Sequence, residues 1–271
     1  MSERWRWAWV LLIPLAMLGW VAFGNIREDR AALNGGYREL HGAASKAEEG
    51  ALADLLTEAR AVLASPQFDA NLRALSGRYR AVYLDPRRQE ASVAEVADLL
   101  AMKRLGARYV PVDVFLLDDE ALGGGYAAAT SENSAGEGRY SDIVLGRFLL
   151  DAYRAPDVVV RSCAVNVAAH EYSHTLSRTP FLYRPAFTDT SGSQTQIPGR
   201  RDRSNPVASY LVGSVAQCTW LQLKGRITAG EVPACVEVFG VASGNSQRCD
   251  QFGTGEPVVP RPDLPPASPP L

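Results

Sequence analysis

Two of the chain's three histidines, His170 and His174, stand four residues apart, and Glu171 directly follows the first. On a helix, residues i and i+4 share one face, so both imidazoles reach a common point with the carboxylate one position round. Two neutral imidazole nitrogens converging beside a carboxylate suit a catalytic Zn²⁺. The ion lowers the pKa of a water towards neutrality, and the glutamate can take the proton. The spacing predicts His170 and His174 as metal ligands, Zn²⁺ as cofactor and Glu171 as general base. The third histidine, His41, is remote in sequence and reads as solvated.

A catalytic zinc site usually takes three protein ligands. No histidine follows His174, and no acidic residue lies between Ser204 and Ile227, where the next helix is predicted from Pro206 to about Lys224, with Asn205 as N-cap. Asp202, just before that cap, is the first choice for the third ligand. Asp189 in Thr188-Asp189-Thr190-Ser191-Gly192 and the amide oxygen of Asn205 are the alternatives, followed by Glu231 or an upstream carboxylate. Each also has a plainer role: Asp189 in a turn, Asp202 as a solvated charge, Asn205 as a cap. Tyr183 and Tyr210 are candidate donors to a developing oxyanion. Asn166, one turn before His170, is a candidate to orient an imidazole.

These residues need elements to hold them. The histidine helix is predicted from Asp157 or Val160 to Arg178, stopped by Pro180. Before it, Tyr109–Leu117 reads as a strand placed towards an edge by Pro111. Gly123-Gly124-Gly125 reads as a turn, not a phosphate cradle, because no Lys-Ser/Thr follows. A second strand is expected near Tyr126–Thr130, a polar loop over Ser131–Gly138, and a third strand over Arg139–Gly146 running into Phe148–Leu150. Upstream, Leu52, Leu55, Leu56, Ala59, Val62 and Leu63 recur at helical spacing. Gly35-Gly36 is expected to separate that helix from a shorter one before it. Asp69–Arg80 reads as a short helix, and Ser92 with Glu95 forms a capping box opening another that Gly106 closes. The segment from Phe181 to Ser204 is long enough to serve as a lid.

The motif His170-Glu171-Tyr172-Ser173-His174 resembles the His-Glu-x-x-His signature of the zincin metallopeptidases. Strands, then the histidine helix, then another helix is the order in zincins of the gluzincin type. Asp142-Ile143-Val144-Leu145-Gly146 through Leu150 looks like the strand and turn before that helix in membrane-anchored bacterial peptidases of this type. The resemblance covers about Arg108 to Leu223. It implies a glutamate ligand on the following helix, often in Glu-x-x-Ala-Asp, whereas this chain reads Asn205-Pro206-Val207-Ala208-Ser209. It also implies an α+β fold, with a small mixed sheet, the histidine helix and a second packed helix.

Composition adds the surroundings. Hydrophobic content of 46% and charged content of 21% are those of a globular chain, and a net charge of −2 argues against a nucleic-acid partner. Trp7–Ile26 holds twenty residues without a charge, after Arg4 and Arg6. It predicts a transmembrane anchor, with a cleaved signal ending near Ala22-Phe23-Gly24 as the rival. Either places the rest outside the cytoplasm, facing the periplasm. Four cysteines suit that compartment, with Cys235–Cys249 and Cys163–Cys218 as the expected pairs. The expected divisions are an anchor or signal at 1–26, a helical stalk or subdomain at 27–106, a zincin-like domain at 107–250 and a proline-rich tail at 251–271. The function expected is a membrane-anchored zinc metallopeptidase acting on protein or peptide substrates. The alternatives are an inactive zincin-like binding protein and a metal-free scaffold.

Overall fold

Three serines start the first three helices. Ser45, Ser65 and Ser92 each accept a hydrogen bond from the backbone N–H three residues on, at Glu48, Phe68 and Glu95. The capping box closes both ways, since the Ser92 amide also donates to Glu95 Oε2 at 2.8 Å. A computed structural model of the chain describes residues 37–84, 89–104, 107–110, 112–118, 128–132, 141–178, 185–188 and 206–239.

In chain order these hold β1 (Tyr37–His41), α1 (Lys46–Leu63), α2 (Pro66–Ala74), β2 (Val82–Tyr83), β3 (Glu90–Ala91), α3 (Val93–Leu100), β4 (Arg108–Tyr109), β5 (Val112–Leu117), β6 (Ala128–Glu132), β7 (Ser141–Gly146), α4 (Phe148–Arg154), α5 (Val158–His174), β8 (Leu176–Ser177), α6 (Ala208–Leu223) and α7 (Val232–Phe239). A 3-10 turn, Ala229–Glu231, precedes α7. The class is α+β, with seven helices and small sheets among the described residues.

The main sheet has the order β1-β5-β7-β6. The first three strands run parallel, and β6 is antiparallel to β7. Val112, Val114 and Leu116 of β5 alternate onto one face and are buried with Ile143 and Leu145 of β7. Helices α5 and α6 run through the centre of the molecule and are buried over most of their length. That is why their sequences carry small and apolar residues on every side instead of one stripe. Helix α1 lies against both, α4 against α1 and α5, and α7 against α6.

Several expectations are corrected. Among the described residues, no helix is long and apolar enough to cross a membrane. The longest, α1, has the length, but it carries Lys46, Glu48, Glu49, Asp54, Glu58 and Arg60. The expected anchor at Trp7–Ile26 lies outside the described residues. The described residues of 27–106 do not stand apart as a stalk. Tyr37–His41 is a strand paired with β5, and α1 buries its predicted stripe in the same core as α5 and α6. Tyr109–Leu117 is not one edge strand: β4 pairs with β8, while β5 lies inside the main sheet between β1 and β7. Phe148–Leu150 begins a helix, and α2 ends at Ala74.

The cysteine pairing also differs. Cys218 of α6 and Cys235 of α7 are bonded, with Cα atoms 5.9 Å apart, because these two helices pack side by side. Cys163 is disulfide-bonded as well. Cys249 lies outside the described residues, as do Gly35-Gly36, Gly106, Pro111, Gly123-Gly124-Gly125, Pro180 and the tail.

Candidate metal centre

Helix α5 begins at Val158 with Asp157 as N-cap, whose Oδ1 accepts a hydrogen bond from the Val159 amide at 2.8 Å. It ends at His174 and not at Arg178. The Thr175 carbonyl accepts from Val110, and Leu176 and Ser177 pair with Tyr109 and Arg108. Pairing with β4 takes the chain out of the helix directly after the second histidine. On the back of the motif, the Tyr172 ring stacks on Tyr109 with centroids 5.6 Å apart, and the Arg60 guanidinium lies 5.9 Å from the Tyr172 ring. Burial pushes the Tyr172 phenol above its ordinary pKa, so this side of the helix is a packed anchor.

On the front, His170 Nε2 and His174 Nε2 are 3.3 Å apart, and Glu171 Oε1 is 3.7 Å from His170 Nε2. His170, Glu171 and His174 are all buried. Among the described residues they form the group of side chains able to hold a metal ion jointly, with ligand atoms within 4.8 Å of one another. His174 Nδ1 is 2.9 Å from the Phe187 carbonyl oxygen. A carbonyl only accepts, so a neutral His174 carries its proton on Nδ1 and turns the Nε2 lone pair towards His170.

The Phe187 carbonyl is held by a short buried segment. Ala186 N donates to Leu176 O at 2.6 Å, and Thr188 N donates to Leu84 O at 2.9 Å. Ala186 and Phe187 are fully buried. Residues 185–188 are thus part of the core under His174, where a lid had been expected; the remainder of 181–204 lies outside the described residues.

Helix α6 supplies the wall over His170. It begins at Ala208 with Val207 as N-cap, not at Pro206. Pro206 and Val207 stay extended because the Pro206 carbonyl accepts from Tyr83 N and Val207 bridges to Tyr83. In its first turn, the Tyr210 ring meets the His170 ring edge to face, with centroids 4.6 Å apart. One turn on, Gly213 lets the helices close up: a Cβ there would lie 2.3 Å from Asn166 Oδ1 and 3.1 Å from His170 Cβ. Asn166 does not reach an imidazole. Its Nδ2 donates to Gln217 Oε1 at 2.7 Å, and Gln217 Nε2 donates to Ser162 Oγ at 3.0 Å. This buried polar seam fixes the rotation of α6 on α5.

Of the other expected residues, Asp202, Asp189, Asn205 and Tyr183 lie outside the described residues. Glu231 is taken away from the site, because its Oε2 accepts from Thr228 N and Oγ1 as a helix cap. His41 sits at the far edge of the sheet, stacked on Phe115 at 4.6 Å, with Glu39 3.5 Å away. Phe187, Gly213, Gln217 and Arg178 were not anticipated. Comparison with family models, with curated proteins and with solved structures finds no match for this chain.

Proposed function

We propose that the chain is a zinc-dependent metallopeptidase of the zincin type. The observation that carries the reading is the 3.3 Å separation of the two Nε2 atoms, with the His174 proton held on the far side of its ring. Two metal–nitrogen bonds of about 2.0–2.1 Å meeting at the tetrahedral angle place their nitrogens about 3.3–3.4 Å apart. The donor set therefore has the spacing at which both imidazoles can hold one small divalent cation.

Bound zinc would supply Lewis acidity towards a water and a scissile carbonyl. The chain's own residues do the rest. Glu171 takes the proton of the attacking water and returns it to the leaving amine. The Tyr210 hydroxyl, on the α6 wall, donates to the oxyanion. For the third ligand Asp202 is the first choice, with Asp189 and Asn205 as alternatives; all three lie outside the described residues. Among the described residues β6 is the outer strand of the sheet beside α5, and its outer edge suits a substrate strand added to the sheet. The Cys218–Cys235 disulfide supports an extracytoplasmic setting.

A second reading, a zincin-like protein that binds metal and substrate without cutting, is favoured by one observation: α6 carries no acidic residue. Zinc content and casein proteolysis of wild type and Glu171→Gln separate the two. The peptidase reading expects about one zinc per chain in both and a loss of at least about 100-fold in rate for the variant. Zinc bound with equal or no proteolysis in both would support the binding reading, and no zinc in wild type would remove both.

A further inference from the structure

We propose that Arg178 is a positioning residue for His174, acting through the segment 185–188 that carries the Phe187 carbonyl; the proposal rests on reading His170 and His174 as metal ligands. Four residues after His174, beyond β8, the Arg178 guanidinium makes two bonds in two directions. Nη2 donates to the Ala186 carbonyl at 2.7 Å, and Nη1 donates to Gln89 Oε1 at 2.6 Å. Ala186 is the residue before Phe187, so the planar fork sets the peptide whose neighbour receives the His174 proton.

The backbone does the other half. The Ala186 amide bonds to Leu176 in β8, and the Thr188 amide bonds to Leu84 beside β2. The chain leaving the histidine helix therefore turns back and supplies the acceptor for that helix's last residue. With Nδ1–H held by Phe187 O, His174 keeps one tautomer and one ring orientation before any cation arrives. Such outer partners of a ligand histidine fix its tautomer and raise its basicity, and losing one costs about 10–100-fold in metal affinity.

The ring nitrogens of ¹⁵N-histidine-labelled full-length protein report the tautomer directly, and three histidines give an assignable spectrum. In metal-free wild type, His174 is expected as the Nδ1–H form. In Arg178→Met its signals move towards a tautomer average while those of His41 hold. Zn²⁺ affinity, measured by chelator competition, falls about 10–100-fold. Arg178→Lys, which keeps a charge and one donor direction, recovers part of both. An unchanged His174 tautomer together with unchanged zinc affinity in Arg178→Met overturns the proposal. If wild type takes up no zinc, the metal reading fails, and the metal-free spectra still decide whether Arg178 orients His174. Should Arg178→Met not fold, Arg178→Lys and Gln89→Ala carry the same readout, and unmoved His174 signals in both overturn it.

Discussion

At Gly213 a hydrogen in place of a methyl group decides how near α6 comes to His170. Glycine inside a helix costs about 1 kcal/mol relative to alanine, so a helix with no reason to keep it gains from the exchange. Gly50 in α1 is such a case, with nothing within 4 Å of an added Cβ. Gly213 is the opposite, because the new carbon meets the Asn166 side-chain oxygen and the His170 Cβ. Overpacking of this kind costs about 1–3 kcal/mol and pushes the helices apart. Gly50→Ala is expected to raise the urea midpoint, and Gly213→Ala to lower it and weaken zinc binding. Equal shifts for the two would show that α6 has room to spare. From sequence, both glycines sit in helical stretches and look alike. The difference lies in a neighbour 47 positions away, which no local pattern reports.

At the scale of elements, α5 and α6 are joined by apolar packing and by the Ser162–Gln217–Asn166 seam. Gln217 both accepts from Asn166 and donates to Ser162, so its loss leaves two buried polar groups to resettle. Gln217→Leu is expected to cost about 1–3 kcal/mol. Asn166→Ala costs less on that background than on wild type, since contacting partners are not additive. Additive penalties in the double-mutant cycle would mean the seam does not couple the helices. The elements themselves were unevenly legible. The stripe of α1, the cap at Ser92 and the helix under His170 follow from local residues, and all three formed. What failed depended on partners. Tyr37–His41 became a strand because β5 was available beside it, and α5 stopped at His174 because β4 paired with the residues after it. The histidine–glutamate group was readable because all its members lie within one turn of helix. The Phe187 carbonyl was not, because a backbone acceptor has no residue type to announce it.

For the whole molecule, charge pairs on the surface and at helix caps set its limits in pH. Hydrogen bonds from the Ala44 amide and Arg147 hold Glu48 below its ordinary pKa, as the Ser92 amide and Arg104 do for Glu95 and Arg73 does for Asp98. Glu58 is the partly buried member. Burial works against its charge, yet bonds from Lys224 and Trp220 lower its pKa from the ordinary 4.5. Lowered carboxylates stabilise the fold above their unfolded values, and that stability is lost as pH falls through the folded values. The urea midpoint should therefore stay level near neutrality and drop below about pH 4.5, more steeply than in Glu58→Gln. The same glutamate acts at the alkaline end. Burial, and then the Glu58 charge, push the Tyr153 phenol from 10.0 up to about 12. A raised phenol stabilises the fold below its unfolded pKa, and that contribution is lost as pH rises through the folded value, between about 10 and 12. Removing the Glu58 charge should bring the Tyr153 ionisation, followed by tyrosinate absorbance, part of the way back towards 10.0. Glu58→Gln thus flattens the acid limb and shifts one tyrosine on the alkaline limb. A variant that changes neither would show that the contact between α1 and α6 at Glu58 does not persist in solution.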